Sequence, residues 1–223
     1  KNCTGEFFKS TAYALRNFFS RESNVFNKYV DFFIVQSEFQ RNKFIKFGIP
    51  ASKLSVLPGI VPKIEDLPGS PKRSIVSFIG RISIEKGIDD FISAAKKLPE
   101  FRFAVAGKVP DEIKLSEVPL NIEWRGFLSD IEIDELISQS AVVIVPSKWY
   151  EGFPNVITRA MQHSVPVIST NIGCLPEIIE HGNNGFTYSP GDIDTLVANI
   201  GKVFSNPEEA EIMGRNGRVK ANN

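Results

Sequence analysis

Glu151 stands in the stretch Val142–Asn171, VVIVPSKWYEGFPNVITRAMQHSVPVISTN, which reads as strand, loop, helix and strand. Val142–Val145 is a short apolar, β-branched run, suited to a strand buried on both faces. Pro146 and Ser147 end it. Pro154 falls where the first turn of a helix begins, a position that tolerates proline because its missing N–H would have no partner there. The helix runs to about Ser164, and Val165–Thr170 forms the next strand. Glu151 is thereby held just before a helix N-terminus, where free N–H groups and the helix dipole favour an anion. Such a loop can set backbone donors of Gly152, Phe153 and Asn155 on a phosphate and the Glu151 carboxylate on nearby hydroxyls. A sugar nucleotide needs that combination. Taken alone, an exposed loop glutamate without a ligand fits equally well.

Two more strand ends carry chemistry. Phe78-Ile79-Gly80-Arg81 is followed by Ile82-Ser83-Ile84-Glu85-Lys86-Gly87. Gly80 lets the backbone turn sharply, Arg81 can pair bidentately with phosphate oxygens, and Lys86 adds a cation for the charge that grows on a leaving diphosphate. A surface Arg and Lys balanced by Glu85 is the plain alternative. Gly126-Phe127-Leu128 follows another strand, where an aromatic ring and backbone groups can hold a base; Phe127 as core under the loop is the alternative there.

The elements that must position these residues alternate from residue 73 onward. Strands are expected at Ser74–Ile79, Arg102–Ala106, Asn121–Arg125, Val142–Val145, Val165–Thr170 and Gly185–Tyr188. Helices are expected at Gly87–Leu98, Asp130–Ser138, Pro154–Ser164, near Pro176–Glu180, at Asp192–Ser205 and from Pro207 to the end. Repeated strand–helix units with right-handed crossovers give a doubly wound, Rossmann-like parallel sheet, which binds ligands beyond the carboxyl ends of its strands. All three candidate loops lie at such ends. No Gly-rich phosphate loop follows the first strand, which argues against a dinucleotide site and against an unrelated doubly wound domain of flavodoxin type.

Upstream, Val30–Gln36 reads as a strand, Ser37 as the N-cap of a helix over Glu38–Phe47, Gly48 as its stop and Leu54–Leu57 as a second strand. Pro62, Pro68, Gly69, Ser70 and Pro71 mark a linker. The expected organisation is therefore a partial α/β domain over 1–61, a linker over 62–72 and the Rossmann-like domain over 73–223.

Composition is that of an ordinary globular protein, 42% hydrophobic and 23% charged. Lys+Arg and Asp+Glu balance at 26 each, so no nucleic-acid partner is implied. Residues 1–50 nevertheless hold eight basic residues against four acidic ones. Phe8, Thr11, Leu15, Phe18 and Phe19 recur near helical spacing there, with Lys9, Arg16 and Arg21 among them. The stripe is read as a face buried in protein, with a basic helix resting on a membrane surface as the alternative. Cys3 and Cys174 make no disulfide framework, which points to a reducing, cytoplasmic setting. His163 and His181 lack partners at metal-ligand spacing, so no metal is expected. No run is long and apolar enough for a membrane span, no signal peptide is visible, and a first residue of Lys suggests that the natural N-terminus is missing.

GRISIEKG, NIEWRGFLSD, VPSKWYEGFPNVITRAM, PVISTNIGCLPEIIEHGNNGF and SPGD, in this order, resemble the donor-binding half of GT-B glycosyltransferases, specifically retaining family 4. The likeness covers residues 73–223. Upstream, VDFFIVQSEFQRNKFIKFGIPASKLSVLPGIV resembles the end of that family's acceptor-binding domain, so a fragment is expected, inactive in transfer by itself. The resemblance implies a hexosyl-type transferase moving a sugar from a nucleotide diphosphate sugar to a glycan or lipid-linked acceptor with retention. Arg81 and Lys86 would bind the diphosphate, Glu151 would touch the donor sugar, and backbone near Phe127 and Leu128 would receive the base. Gly80, Gly152, Phe153, Pro154 and Asn155 would complete the donor site, without a metal ion or other cofactor. Two positions depart from the family. Arg159 replaces a Glu that contacts ribose hydroxyls, and an Arg cannot accept those hydrogen bonds. It lies one helical turn beyond Asn155 on the same face, so it can point at the nucleotide, mark a degraded site in a non-catalytic nucleotide-sugar-binding module, or be a solvent-exposed helix Arg. Cys174 replaces a Gly after Gly173 and is read as a small buried residue. A basic, Phe-rich N-terminal segment leaves room for peripheral contact with the cytoplasmic face of a membrane.

Overall fold

The computed structural model describes residues 6–59, 64, 73–109 and 118–222. The expected linker over 62–72 lies outside the described residues apart from Ile64. The chain divides into two compact units, Lys1–Pro58 and Gly59–Asn223.

In the first unit, helices α1 (Phe7–Glu22) and α2 (Val25–Tyr29) precede strand β1 (Phe33–Val35), helix α3 (Glu38–Lys46) and strand β2 (Leu54–Val56), with β1 and β2 parallel. The Ser37 hydroxyl accepts from the Gln40 N–H and starts α3; Gly48, at φ +92°, follows its end. Lys53 donates to the carbonyls of Asn27 and Val30, both at 2.7 Å, and so ties α2 to the start of β2. β1 is shorter than the apolar run VDFFIVQ suggests, because pairing extends only as far as its three-residue partner. The Phe stripe of α1 departs from the expected burial. Phe7, Phe8, Phe18 and Phe19 are all exposed.

The second unit is built on a six-stranded sheet. Its strands are β3 (Ile75–Ile79), β4 (Arg102–Ala106), β5 (Ile122–Gly126), β6 (Ser140–Val145), β7 (Val167–Thr170) and β8 (Gly185–Tyr188). Every pairing is parallel and the order is β5-β4-β3-β6-β7-β8. Counting from the first strand of the unit, this is 3-2-1-4-5-6, the doubly wound order whose direction reverses between β3 and β6. The strands are apolar on both faces because helices cover both. On one face, Val76, Phe78, Phe103, Val105, Val142 and Ile144 pack with Phe91, Ala94 and Ala95 of helix α4 (Ile88–Lys97) and with Leu196, Ile200 and Val203 of α8 (Ile193–Ser205). On the other, Ile75, Ala104 and Ala106 pack with Leu136 of α5 (Asp130–Gln139). Helix α6 (Asn155–Gln162) follows β6, α7 (Leu175–Ile178) follows β7, and α9 (Pro207–Asn222) contacts α6, α8 and the edge strand β8. Pro154 is the N-cap of α6 rather than its first residue, with extended ψ 105°. Among the described residues no helix is long and apolar enough to cross a membrane.

Candidate functional site

The reversal point between β3 and β6 is where two crossovers leave the sheet in opposite directions, opening a crevice beyond the carboxyl ends of the strands. Three turns crowd it. After β3, Gly80 turns at φ +151°, and after β4, Gly107 turns at φ +158°, so close to Gly80 that an added Cβ would stand 2.1 Å from its carbonyl oxygen. Ile84–Lys86 then forms one turn of 3-10 helix, closed by Gly87 in the left-handed conformation. An added Cβ at Gly87 would meet the Pro146 carbonyl oxygen at 1.9 Å, so the β3 and β6 loops touch backbone to backbone.

Across that contact Lys86 donates to both carboxylate oxygens of Glu151, at 2.7 and 2.8 Å. The pair is sheltered, with the Lys86 side chain 31% and that of Glu151 14% exposed. The Ser147 hydroxyl donates to the same carboxylate, and Thr170 donates to the Ser147 carbonyl at 2.6 Å. Cys174 is wholly buried, as read from the sequence, and its thiol donates to the Glu151 carbonyl at 3.4 Å. Burial pushes the Cys174 pKa up to about 11, so the group stays a thiol and keeps its proton for that contact. The Lys148 N–H donates to the Glu85 carbonyl at 2.9 Å.

Arg81 is the open cation. Its side chain is 69% exposed, and one nitrogen lies 3.1 Å from Glu85. A backbone hydrogen bond, the Ser83 hydroxyl and the Arg81 and Lys86 charges hold the Glu85 carboxyl below the usual range. Five N–H donors on a guanidinium leave Arg81 able to take phosphate oxygens, and an ammonium spends two of its three on Glu151.

At the end of β5, Gly126 turns at φ +66°, and Ser129 caps α5 in a reciprocal capping box with Glu132. The loop between them is two residues long. Phe127 is therefore driven outward and is 85% exposed, which overturns its alternative reading as core. Leu128 turns inward onto Ile75, Ala104, Ala106 and Leu136. Gly152, Phe153 and Pro154 are half-buried and Asn155 is exposed at the start of α6. The Phe153 ring lies against Gly59, where an added Cβ would approach within 2.6 Å.

Arg159 is neither a free surface Arg nor an uncommitted ligand. From α6 it reaches across to α5, where Asp134 takes Nε at 2.6 Å and Nη2 at 2.9 Å, and the Asp130 carboxylate takes Nη1 at 2.8 Å. Asp134 also meets Nε2 of the buried His163 at 2.9 Å. Those hydrogen bonds raise the Arg159 pKa, and burial opposes them only in part. Thus Lys86 and Glu151, 65 residues apart, come into contact, while Arg159 anchors the helix that follows the Phe127–Leu128 loop. Ser147, Lys148, Asp89, Asp90, Asp130 and Asp134 were not singled out from the sequence. Each is polar at an unremarkable position, and, apart from Ser147, which meets Glu151 four residues on, its partner is far away in the chain.

A doubly wound parallel sheet with two cations and a sheltered carboxylate at its reversal point defines a Rossmann-like unit. The chain belongs to the glycosyl transferases group 1 family, whose model matches residues 62–220, and its fold is that of GT-B glycosyltransferases. It is 30% identical over 155 residues to sulfoquinovosyl transferase SQD2 of Arabidopsis thaliana, covering 67% of this chain and 30% of that protein. It is 29% identical over 156 residues to 2-deoxystreptamine N-acetyl-D-glucosaminyltransferase of Niallia circulans, covering 66% and 40%. Anabaena HepE, solved in complex with UDP-glucose, superposes with a TM-score of 0.77 at 22% identity over 89% of this chain and 60% of that one. The chain thus spans less than half the length of these two curated relatives.

Proposed function

We propose that this chain is the donor-binding part of a retaining, hexosyl-type family 4 glycosyltransferase, which moves a sugar from a nucleotide diphosphate sugar to a glycan or lipid-linked acceptor. The observation that carries the reading is the Lys86–Glu151 contact at the reversal point of the sheet, with Arg81 open beside it. Arg81 takes the diphosphate first, being the more exposed cation. Lys86 then shares its charge between Glu151 and the departing phosphate oxygen, so negative charge developing on the leaving group is met by a cation already in place. Glu151 orients the sugar through its hydroxyls, and the turn at Phe127 and Leu128 receives the base. Stabilisation of the diphosphate by Arg81, Lys86 and the α6 N-terminus is proposed to proceed without a metal ion. The setting proposed is the cytoplasm.

Arg159 is the feature that favours a non-catalytic nucleotide-sugar-binding module. Its ion pairs with Asp130 and Asp134 join α6 to α5 and leave the position without an acceptor for ribose hydroxyls, so the binding measurement below decides between the two readings.

Titration calorimetry of UDP, GDP and ADP and their sugar conjugates against this chain tests the proposal. One nucleotide is expected to bind, and Arg81→Ala or Lys86→Met to weaken it by about tenfold or more, the worth of one charge-assisted hydrogen bond. Binding unchanged in both variants would remove the assigned roles.

A further inference from the structure

We infer that Asp90, a buried carboxylate outside the residues assigned above, is a positioning residue that acts through Lys148 to hold the Glu151 loop in register with Lys86. The consequence for binding rests on the proposed donor site; the strut itself does not.

Asp90 lies in the first turn of α4 and is only 3% exposed. A carboxylate so placed is costly unless paired and hydrogen-bonded, and here both of its oxygens are engaged. One meets Lys148 Nζ at 2.8 Å and the other accepts the Gly191 N–H at 3.0 Å. Asp90 therefore joins three segments: the helix after the β3 loop, the loop after β6 and the turn between β8 and α8. Lys148 is anchored twice more, through Asp89 at its ammonium and through its own N–H to the Glu85 carbonyl. Burial by itself would lower the Lys148 pKa, but the hydrogen bonds to Asp89 and Asp90 raise it, so the ammonium stays charged.

The geometry is reciprocal. The β3 loop sends Lys86 to Glu151 of the β6 loop, and the β6 loop sends Lys148 back to Asp90 and Asp89 on the helix that the β3 loop begins. Between the two crossings the Gly87 and Pro146 backbones touch, so the loops can approach no further. The Lys148 crossing prevents them from separating. Only Trp149 and Tyr150 separate Lys148 from Glu151, too few to absorb a displacement without moving the carboxylate. A shift of about 1 Å in such a supporting contact is enough to degrade a site severely.

The experiment uses the full 223-residue chain and two readouts, hydrogen exchange of the 146–152 segment and calorimetric affinity for UDP, GDP and ADP. Asp90→Asn, Lys148→Met and their combination are compared with Lys148→Arg and with Val203→Ala. The last is a core truncation on α8, outside the Lys86–Glu151 and Lys148–Asp90 contacts. Exchange in the segment is expected to rise in Asp90→Asn and Lys148→Met, to rise no further in the double variant, and to stay low in Lys148→Arg and Val203→Ala. Affinity is expected to fall about tenfold in the same three chains. Unchanged exchange in Asp90→Asn, full additivity in the double variant, or an equal rise in Val203→Ala would each overturn the strut. Raised exchange in chains of which none binds a nucleotide would uphold the strut and overturn the donor site instead.

Discussion

Arg159 shows how a residue's surroundings settle its meaning. Its position on α6 makes it a neighbour of the Glu151 loop, yet its guanidinium is turned to α5 and held by two carboxylates. Restoring the family's Glu would set a third carboxylate against Asp130 and Asp134. The pair is partly sheltered, so its loss falls between that of an exposed and a buried ion pair. Arg159→Glu is expected to cost about 2 kcal/mol, read as a Tm lower by about 4–8 °C. It is not expected to tighten nucleotide binding. Adding Asp134→Lys should recover most of the lost Tm by reversing the pair; a Tm unchanged by Arg159→Glu would show that the clamp contributes nothing. The identity of Arg159 was plain in the sequence, whereas its partners, 25 and 29 residues away, became visible only with α5 beside α6.

At the scale of elements, two devices fix the site. The first is the approach of the β3 and β6 loops, which Gly87 permits. Gly87→Ala introduces a Cβ 1.9 Å from a carbonyl oxygen and a side chain at φ +74°. A cost of roughly 3 kcal/mol or more is expected, a fall in Tm of about 6–12 °C; a stable, fully folded variant would mean that the loops can move apart freely. The second device is the α5–α6 clamp. Burial alone would raise the Asp134 pKa, but hydrogen bonds from Arg159 and His163 lower it below its ordinary value. A carboxyl with a depressed folded-state pKa contributes stability that is complete above the unfolded value, near 4, and is lost as pH falls through the folded value. Denaturant midpoints should therefore drop below about pH 4, and the drop should be shallower in Asp134→Asn. Equal slopes in the two proteins would sever Asp134 from the acid response.

The whole molecule is unevenly built. The buried apolar residues lie in the second unit, with Val35 and Leu54 the exceptions among the described residues. The first unit holds a two-stranded sheet and an α1 whose Phe residues are exposed. Local opening follows from few buried contacts. Amides of β1 and β2 are thus expected to exchange much faster than those of β3 and β6, and equal protection would contradict so thin a core.

The sequence by itself determined the local elements of the second unit. Its six strands and their helices fall close to where the apolar runs put them, because a period of 2 or 3.6 acts within a few residues. It also supplied the chemistry at three strand ends, Arg81 and Lys86, Phe127, and Glu151. The tertiary structure alone decided which of these meet. Sheet order brings β3 beside β6 and so closes Lys86 onto Glu151 and Lys148 onto Asp90, contacts 65 and 58 residues apart. It spent Arg159 on α5 and turned Phe127 outward. Such pairings depend on loops folding back in space, and no periodicity along the chain encodes them.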